Sequence, residues 1–122
     1  ELGFLPETCS KKNPMDLTAD ADAERYKRTL EVVFKCESFD SVVVICVPPI
    51  FIRSEEISMA TIESAKKASK PVLTCWMAGD LVSRGIKILQ ETGIPTYPTP
   101  RRTARAVWAL TQRGNYLQRF GL

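Results

Sequence analysis

Six polar side chains fall where an α/β chain can do chemistry: Asn13, Asp16, Arg53, Ser54, Asp80 and Arg101. Each lies at the abrupt end of an apolar run or at a helix start. Arg53 and Ser54 open a segment whose first turn carries Glu55 and Glu56. Acids are favoured at that end of a helix because its dipole is positive there. The free amides of such a start attract phosphate or carboxylate. An arginine beside them pairs with the anion or stays in solvent. The chemistry on offer is therefore electrostatic. Plainer roles stand beside it. Helix capping is a sufficient role for Ser54, Asp80 and Thr99. Asn13 can fold a turn before Pro14, and Asp16 can cap a loop as readily as it can build a site.

What the sequence lacks narrows the choice. It has no histidine, so no Ser-His-Asp or Cys-His unit can be assembled from these residues. A phosphohistidine would have to come from elsewhere. The cysteines, at 9, 36, 46 and 75, show no CxxC spacing. Zinc and thioredoxin chemistry are unsupported, and no metal site is expected. Cys46 and Cys75 lie inside apolar runs and read as small buried side chains. A reduced, cytoplasmic setting fits this usage. No apolar run approaches the roughly 20 residues of a membrane helix. The net charge of +3 is mild, and its pairs, Lys11-Lys12, Lys66-Lys67 and Arg101-Arg102, read as solvated helix faces and loop ends. Neither a nucleic-acid nor a membrane partner is expected.

The elements that would position these residues follow from periodicity. With 122 residues, one domain is expected. Residues 1–12 read as an irregular lead-in and 13–122 as the domain. The absence of a starting Met suggests a piece of a longer polypeptide. Strands are predicted over 14–18, 42–47, 71–76 and 94–97. Pro48-Pro49 ends the second, since neither residue has an N–H to give. Helices are predicted over about 22–36, 54–69, from Asp80 to the Gly93 stop, and from Thr99-Pro100 to about Tyr116. Tyr26 and Trp108 lie on apolar helix faces and are assigned to the core, and Trp76 to packing. The order βαβαβαβα implies parallel pairing through right-handed crossovers. The expected fold is α/β: a flavodoxin-like three-layer α/β/α domain with a mainly parallel sheet. In such sheets ligands sit at the carboxyl ends of the strands, here around Asp16, Pro48–Ser54, Trp76–Asp80 and Pro98–Arg102.

The order of motifs resembles one family. Asn13-Pro14-Met15-Asp16-Leu17 comes first, then the strand ending in Pro48-Pro49. Lys70-Pro71-Val72 then leads to Trp76-Met77-Ala78-Gly79, and Gly93 to Pro100 follows. Together they resemble the CoA-ligase domain of NDP-forming acyl-CoA synthetases, relatives of succinyl-CoA synthetase. The resemblance implies reversible conversion of acyl-CoA, nucleoside diphosphate and phosphate into acid, CoA and nucleoside triphosphate. A histidine in another domain carries the phosphoryl group, and an ATP-grasp module binds the nucleotide. The implied partners are the CoA-binding, phosphohistidine and ATP-grasp modules. CoA, ATP or ADP and Mg belong to the intact enzyme, with none bound by this piece alone. The helix from Arg53-Ser54 would lend its N-terminus to the phosphohistidine. Asn13 matches an Asn of the acid-substrate pocket, and Pro49, Ile50 and Phe51 match the loop closing it. Relatives carry Gly-Gly where Pro48-Pro49 stand, so two amide donors are missing. Ile50 and Phe51 suit a less polar acyl group than succinate. No catalytic residue is expected here, and the isolated chain should be inactive.

Three rivals remain at this stage, the first two being forms of a free-standing flavodoxin-like binding or signalling module. A receiver module needs clustered acids after its first strand, but Asp16 is alone there. A flavin-binding module needs a hydroxyl-rich phosphate loop, and Leu17-Thr18-Ala19-Asp20 is a poor one. The third rival is an inactive synthetase-like regulatory domain of a protein acetyltransferase, which these residues cannot separate from the synthetase.

Overall fold

A computed structural model describes all 122 residues. Helix α1 spans Ala23–Lys35, strand β1 Val42–Cys46, helix α2 Ser54–Lys66 and strand β2 Val72–Trp76. A short 3-10 turn, Gly79–Val82, leads into α3, Ser83–Glu91, and α4 spans Pro100–Phe120. The α/β/α arrangement stands, but the sheet is smaller than the sequence suggests. Only β1 and β2 pair, in parallel, with Val42 opposite Val72 and Cys46 opposite Trp76.

The two other expected strands shrink to single bridges. Residues 14–18 do not run along β1. Asp16 exchanges backbone bonds with Ser10 in an antiparallel bridge, at 2.9 and 3.1 Å. Its side chain then accepts from the Thr18 amide at 2.9 Å, and Thr18 adopts a left-handed φ of 69°. This local bond competes with a ladder and wins. Near the other end, Thr74 bonds the Pro95 carbonyl and the Tyr97 amide, each at 2.9 Å. Pro95 and Pro98 cannot donate, so the ladder stops there.

Helices α1, α2 and α3 cover one face of the sheet. Val42, Val44 and Cys46 meet Leu30, Ile57, Ile62, Val72, Trp76, Val82 and Leu89 in one buried cluster. On the opposite face α4 crosses β2, where Leu73 and Cys75 are fully buried. It does not cover β1. Val43 and Ile45, opposite Leu73 and Cys75, are 40% and 45% exposed. The apolar run 42–47 is thus covered on one face only, whereas continuous apolar runs in parallel sheets are usually covered on both.

Side-chain caps fix two of the four α-helix starts. Asp22 accepts from the Arg25 amide at 2.9 Å, and Thr99 accepts from Arg102 at 3.3 Å with Pro100 following. Asp80 does not cap α3; its carbonyl accepts from the Ser83 hydroxyl instead. Helix α4 runs on to Phe120 and stops at Gly121, φ 65°. Its buried side is thin: Thr103 is buried, but Trp108 is 66% exposed, not core as expected. Tyr26 does pack against the core cluster. No helix is long and apolar enough to cross a membrane. The lead-in has no helix or strand, yet Leu5 and Cys9 are buried and Phe4 lies 4.0 Å under the Arg28 guanidinium.

Candidate functional site

The carboxyl end of the sheet is where β1 passes through an open loop into α2. Val47, Ile50 and Phe51 stand out from it, Ile50 85% and Phe51 72% exposed. Pro49 is half-buried. Two prolines strip donors from this loop, so what it presents is mainly apolar surface. Exposed apolar side chains of this size, side by side, mark contact surfaces.

The tip of α2 differs from expectation. Ser54 is the first helical residue, not the cap; Arg53 holds the cap position and makes no capping bond. The Ser54 side chain turns inward. It is 1% exposed and donates to the Leu81 carbonyl at 3.0 Å. One turn on, Ser58 donates to the Gly85 carbonyl at 3.0 Å. Gly85 allows this approach, since a Cβ there would fall 2.8 Å from the Ser58 hydroxyl and 2.9 Å from that of Ser54. So α2 is seated on α3 by two small residues facing a third. The Ser54 hydroxyl is thus engaged within the chain, and the helix tip itself is held firmly.

An anion already sits at the tip. The Glu55 carboxyl is held below its ordinary range, chiefly by a bond from its own backbone amide, with Arg53 and Arg84 adding to the effect against partial burial. Arg53 lies 3.8 Å from Glu55 and 3.6 Å from Glu56; Arg84 lies 4.0 Å from Glu55. The cluster is a helix N-terminus flanked by two exposed guanidinium groups and filled by the chain's own carboxylate. Sequence reasoning singled out Arg53 and missed Arg84. The signal available was the pairing of Ser54 and Ser58, at helical spacing, with a glycine in the next helix.

Asn13 is exposed and forms no hydrogen bond or ion pair with this loop. Its segment is nevertheless led toward the same end of β1. The Tyr26 hydroxyl donates to the Ile45 carbonyl at 3.2 Å. Burial first, and then neighbouring Cys46 and Asp16, push the Tyr26 hydroxyl well above its usual range. Arg25 ties the loop after Asp16, bonding the Leu17 carbonyl and Thr18 hydroxyl at 3.0 Å and pairing with Asp20 at 3.1 Å. Arg101 is exposed at the start of α4 and joins no cluster.

All four cysteines are free, and burial pushes the Cys46 thiol up to about 12, which removes its nucleophilic form near neutrality. No three His, Cys, Asp or Glu side chains converge, so the residues present do not fit a metal ion. An open groove of about 580 Å³ lies along α2 between α1 and α3. Its charges compensate one another, with Lys27 paired to Glu63 at 3.0 Å.

No protein-family model matches the chain. It is similar to the alpha subunit of an ADP-forming acetate–CoA ligase II from Pyrococcus furiosus, 36% identical over 90% of this chain and 25% of that subunit. Among solved structures it superposes on a Pyrococcus horikoshii OT3 protein with a TM-score of 0.89 at 34% identity, over 93% of this chain and 27% of that one. It also superposes on a dinucleotide-forming acetyl-coenzyme A synthetase 1 from Ca. Korarchaeum cryptofilum with a TM-score of 0.82 at 25% identity, over 95% and 26%. The chain spans about a quarter or less of the length of the curated relatives it matches. These likenesses cover almost every element described above, with the motif order that first suggested them. Over about nine-tenths of its length the chain is thus a homologue of one portion of ADP-forming acetate–CoA ligases, and it shares the fold of the matching portion in the solved structures.

Proposed function

We propose that this chain works inside an enzyme that interconverts acyl-CoA, nucleoside diphosphate and phosphate with acid, CoA and nucleoside triphosphate. Within it, the loop 47–53 closes an acyl pocket, and the tip of α2 meets a phosphohistidine carried by another domain. The observation that carries this reading is the tip itself: a rigidly seated helix start with Arg53 and Arg84 around one carboxylate. Two guanidinium groups and first-turn amides that hold a carboxylate can hold a phosphoryl group in its place, with Glu55 turned out to solvent. This would be electrostatic catalysis, with the phosphoryl charge stabilised and no bond made by this domain. CoA and nucleotide would be bound by other modules, and Mg with them. Asn13 is assigned to the acid side of the pocket on resemblance alone.

The test is made in the intact enzyme. Arg53→Ala combined with Arg84→Ala should slow phosphoryl transfer from enzyme to nucleoside diphosphate about 10- to 100-fold, with folding unchanged. An unaltered transfer rate refutes the assignment. Glu55 also favours a second reading. Its carboxylate already satisfies the tip, as it would in a regulatory domain that binds an acyl group and transfers no phosphate. A phosphorylated enzyme intermediate, trapped with labelled nucleoside triphosphate, decides against that reading; its absence decides for it.

A further inference from the structure

Charge is divided along this chain far more sharply than its mild net value suggests. All 14 Asp and Glu lie in residues 1–91, while residues 92–122 hold five arginines and no acid. Every ion pair in the molecule falls between residues 20 and 91. Arg101, Arg102, Arg105, Arg113 and Arg119, all on α4 and all exposed, have none.

Helical spacing sorts these side chains. Thr103, Ala106, Val107, Gly114 and Leu117 recur on one side, and these are the residues α4 half or fully buries. Arg102, Arg105, Arg113, Tyr116 and Phe120 recur on another, which is exposed. Tyr116 and Phe120 stack there with ring centroids 4.7 Å apart, and the Arg113 guanidinium lies 5.6 Å from the Tyr116 ring. At the helix start, Arg102 and Arg105 border a shallow cavity of about 450 Å³ beside Tyr97. Arginine and aromatic side chains in one exposed, acid-free stripe match the composition of protein interfaces, where both types are enriched. The two rings are packed on each other rather than standing free as platforms for bases.

We infer that this outer stripe of α4 docks on an acidic protein face belonging to another part of the synthetase. Carboxylates of that face would pair with Arg102 and Arg105, and its apolar centre would cover Tyr116 and Phe120. The inference rests on the synthetase reading, because most of the length of the relatives lies outside the matched region. Charge complementarity supplies the occupant, since the chain offers these cations no acid of its own within reach.

The experiment uses the intact synthetase with Tyr116→p-benzoylphenylalanine, followed by ultraviolet irradiation and mass-spectrometric mapping of the adduct. The expected adduct joins Tyr116's position to an Asp- and Glu-rich segment outside residues 1–122. Its yield should fall about tenfold when Arg102→Glu and Arg105→Glu are added, and be kept by Arg102→Lys with Arg105→Lys. Circular dichroism of each variant verifies the fold. The inference is overturned by no adduct, by one to a segment without excess acid, by one between two copies of α4, by one to nucleic acid, or by a yield that charge reversal leaves unchanged. Ligase activity of the same preparation is measured separately. Its presence without the expected adduct sinks the docking surface alone, and its absence from the unsubstituted enzyme sinks the functional reading.

Discussion

Gly85→Ala tests the contact on which the α2 tip depends. Alanine suits a helix better than glycine, by about 1 kcal/mol, so a stabilised protein is the outcome if the position has room. The geometry gives it none. The new Cβ would lie 2.8 Å from the Ser58 hydroxyl, 2.9 Å from the Ser54 hydroxyl and 3.0 Å from the Ser54 carbonyl oxygen. The hydroxyls can rotate away, but then each loses its bond to α3 or to the 3-10 turn, at about 1 kcal/mol apiece. The carbonyl belongs to the backbone and cannot rotate. Moving it means sliding α2 over α3, an overpacking strain of about 1–3 kcal/mol. Net destabilisation should be roughly 2–4 kcal/mol. Urea unfolding followed by Trp76 emission reads this, in a Trp108→Phe background that removes the exposed indole. Trp76 is 2% exposed, so its emission reports the core. Adding Ser58→Ala should recover part of the loss, because it deletes the nearest clashing atom. A Gly85→Ala protein within about 0.5 kcal/mol of its parent, or more stable, refutes the claim of a close-packed seat.

Other outcomes follow from single features. Phe51→Ala should change stability by less than about 0.5 kcal/mol, since the ring is exposed, while shifting acyl-acid preference in the intact enzyme; unchanged substrate profiles remove Phe51 from the pocket. Asp20 is held down to about 2 by its bonds to Arg25 and Thr18. Its folded value lies below the unfolded one, so its contribution is present above about pH 4 and lost as pH falls toward 2. Asp20→Asn should therefore lower the urea midpoint at pH 7 and converge with the parent near pH 2; a constant gap across that range contradicts the ion pair. The isolated 122-residue chain should give no acid-, CoA- and ATP-dependent turnover, and any such turnover shows that a phosphoryl carrier other than histidine exists within it.

Much of the fold was legible because it rests on local rules. Asp22 caps, Thr99-Pro100 starts a helix, Gly93 stops one at φ 81°, and the two β-branched runs pair in parallel. What failed was decided between elements. Residues 14–18 have the composition of a strand, but the Asp16 side chain satisfies the Thr18 amide before a ladder can form. Trp108 lies on an apolar helical stripe that seemed to require burial, yet α4 covers only β2 and leaves that side open. The placement of the candidate loop was legible to the same degree. The loop and helix start fall at the expected sheet end. The direction of the Ser54 side chain was not readable, because Leu81 and Gly85, which receive the two hydroxyls, lie 27 residues away.

These two kinds of contact divide the labour at the sheet end. Ser54 and Ser58 commit α2 to α3 through buried bonds, which hold the helix axis and the amides of its first turn in place. Glu55 meets Arg53 and Arg84 across 3.8–4.0 Å on the surface, where such pairs are weak and screened. A site that must accept and release a charged group many times needs this combination. A fixed dipole supplies stabilisation without reorganisation, and loosely held ions can exchange a carboxylate for a phosphoryl group at little cost. Were the resident carboxylate locked in a buried bidentate pair, the incoming charge would have no place to go.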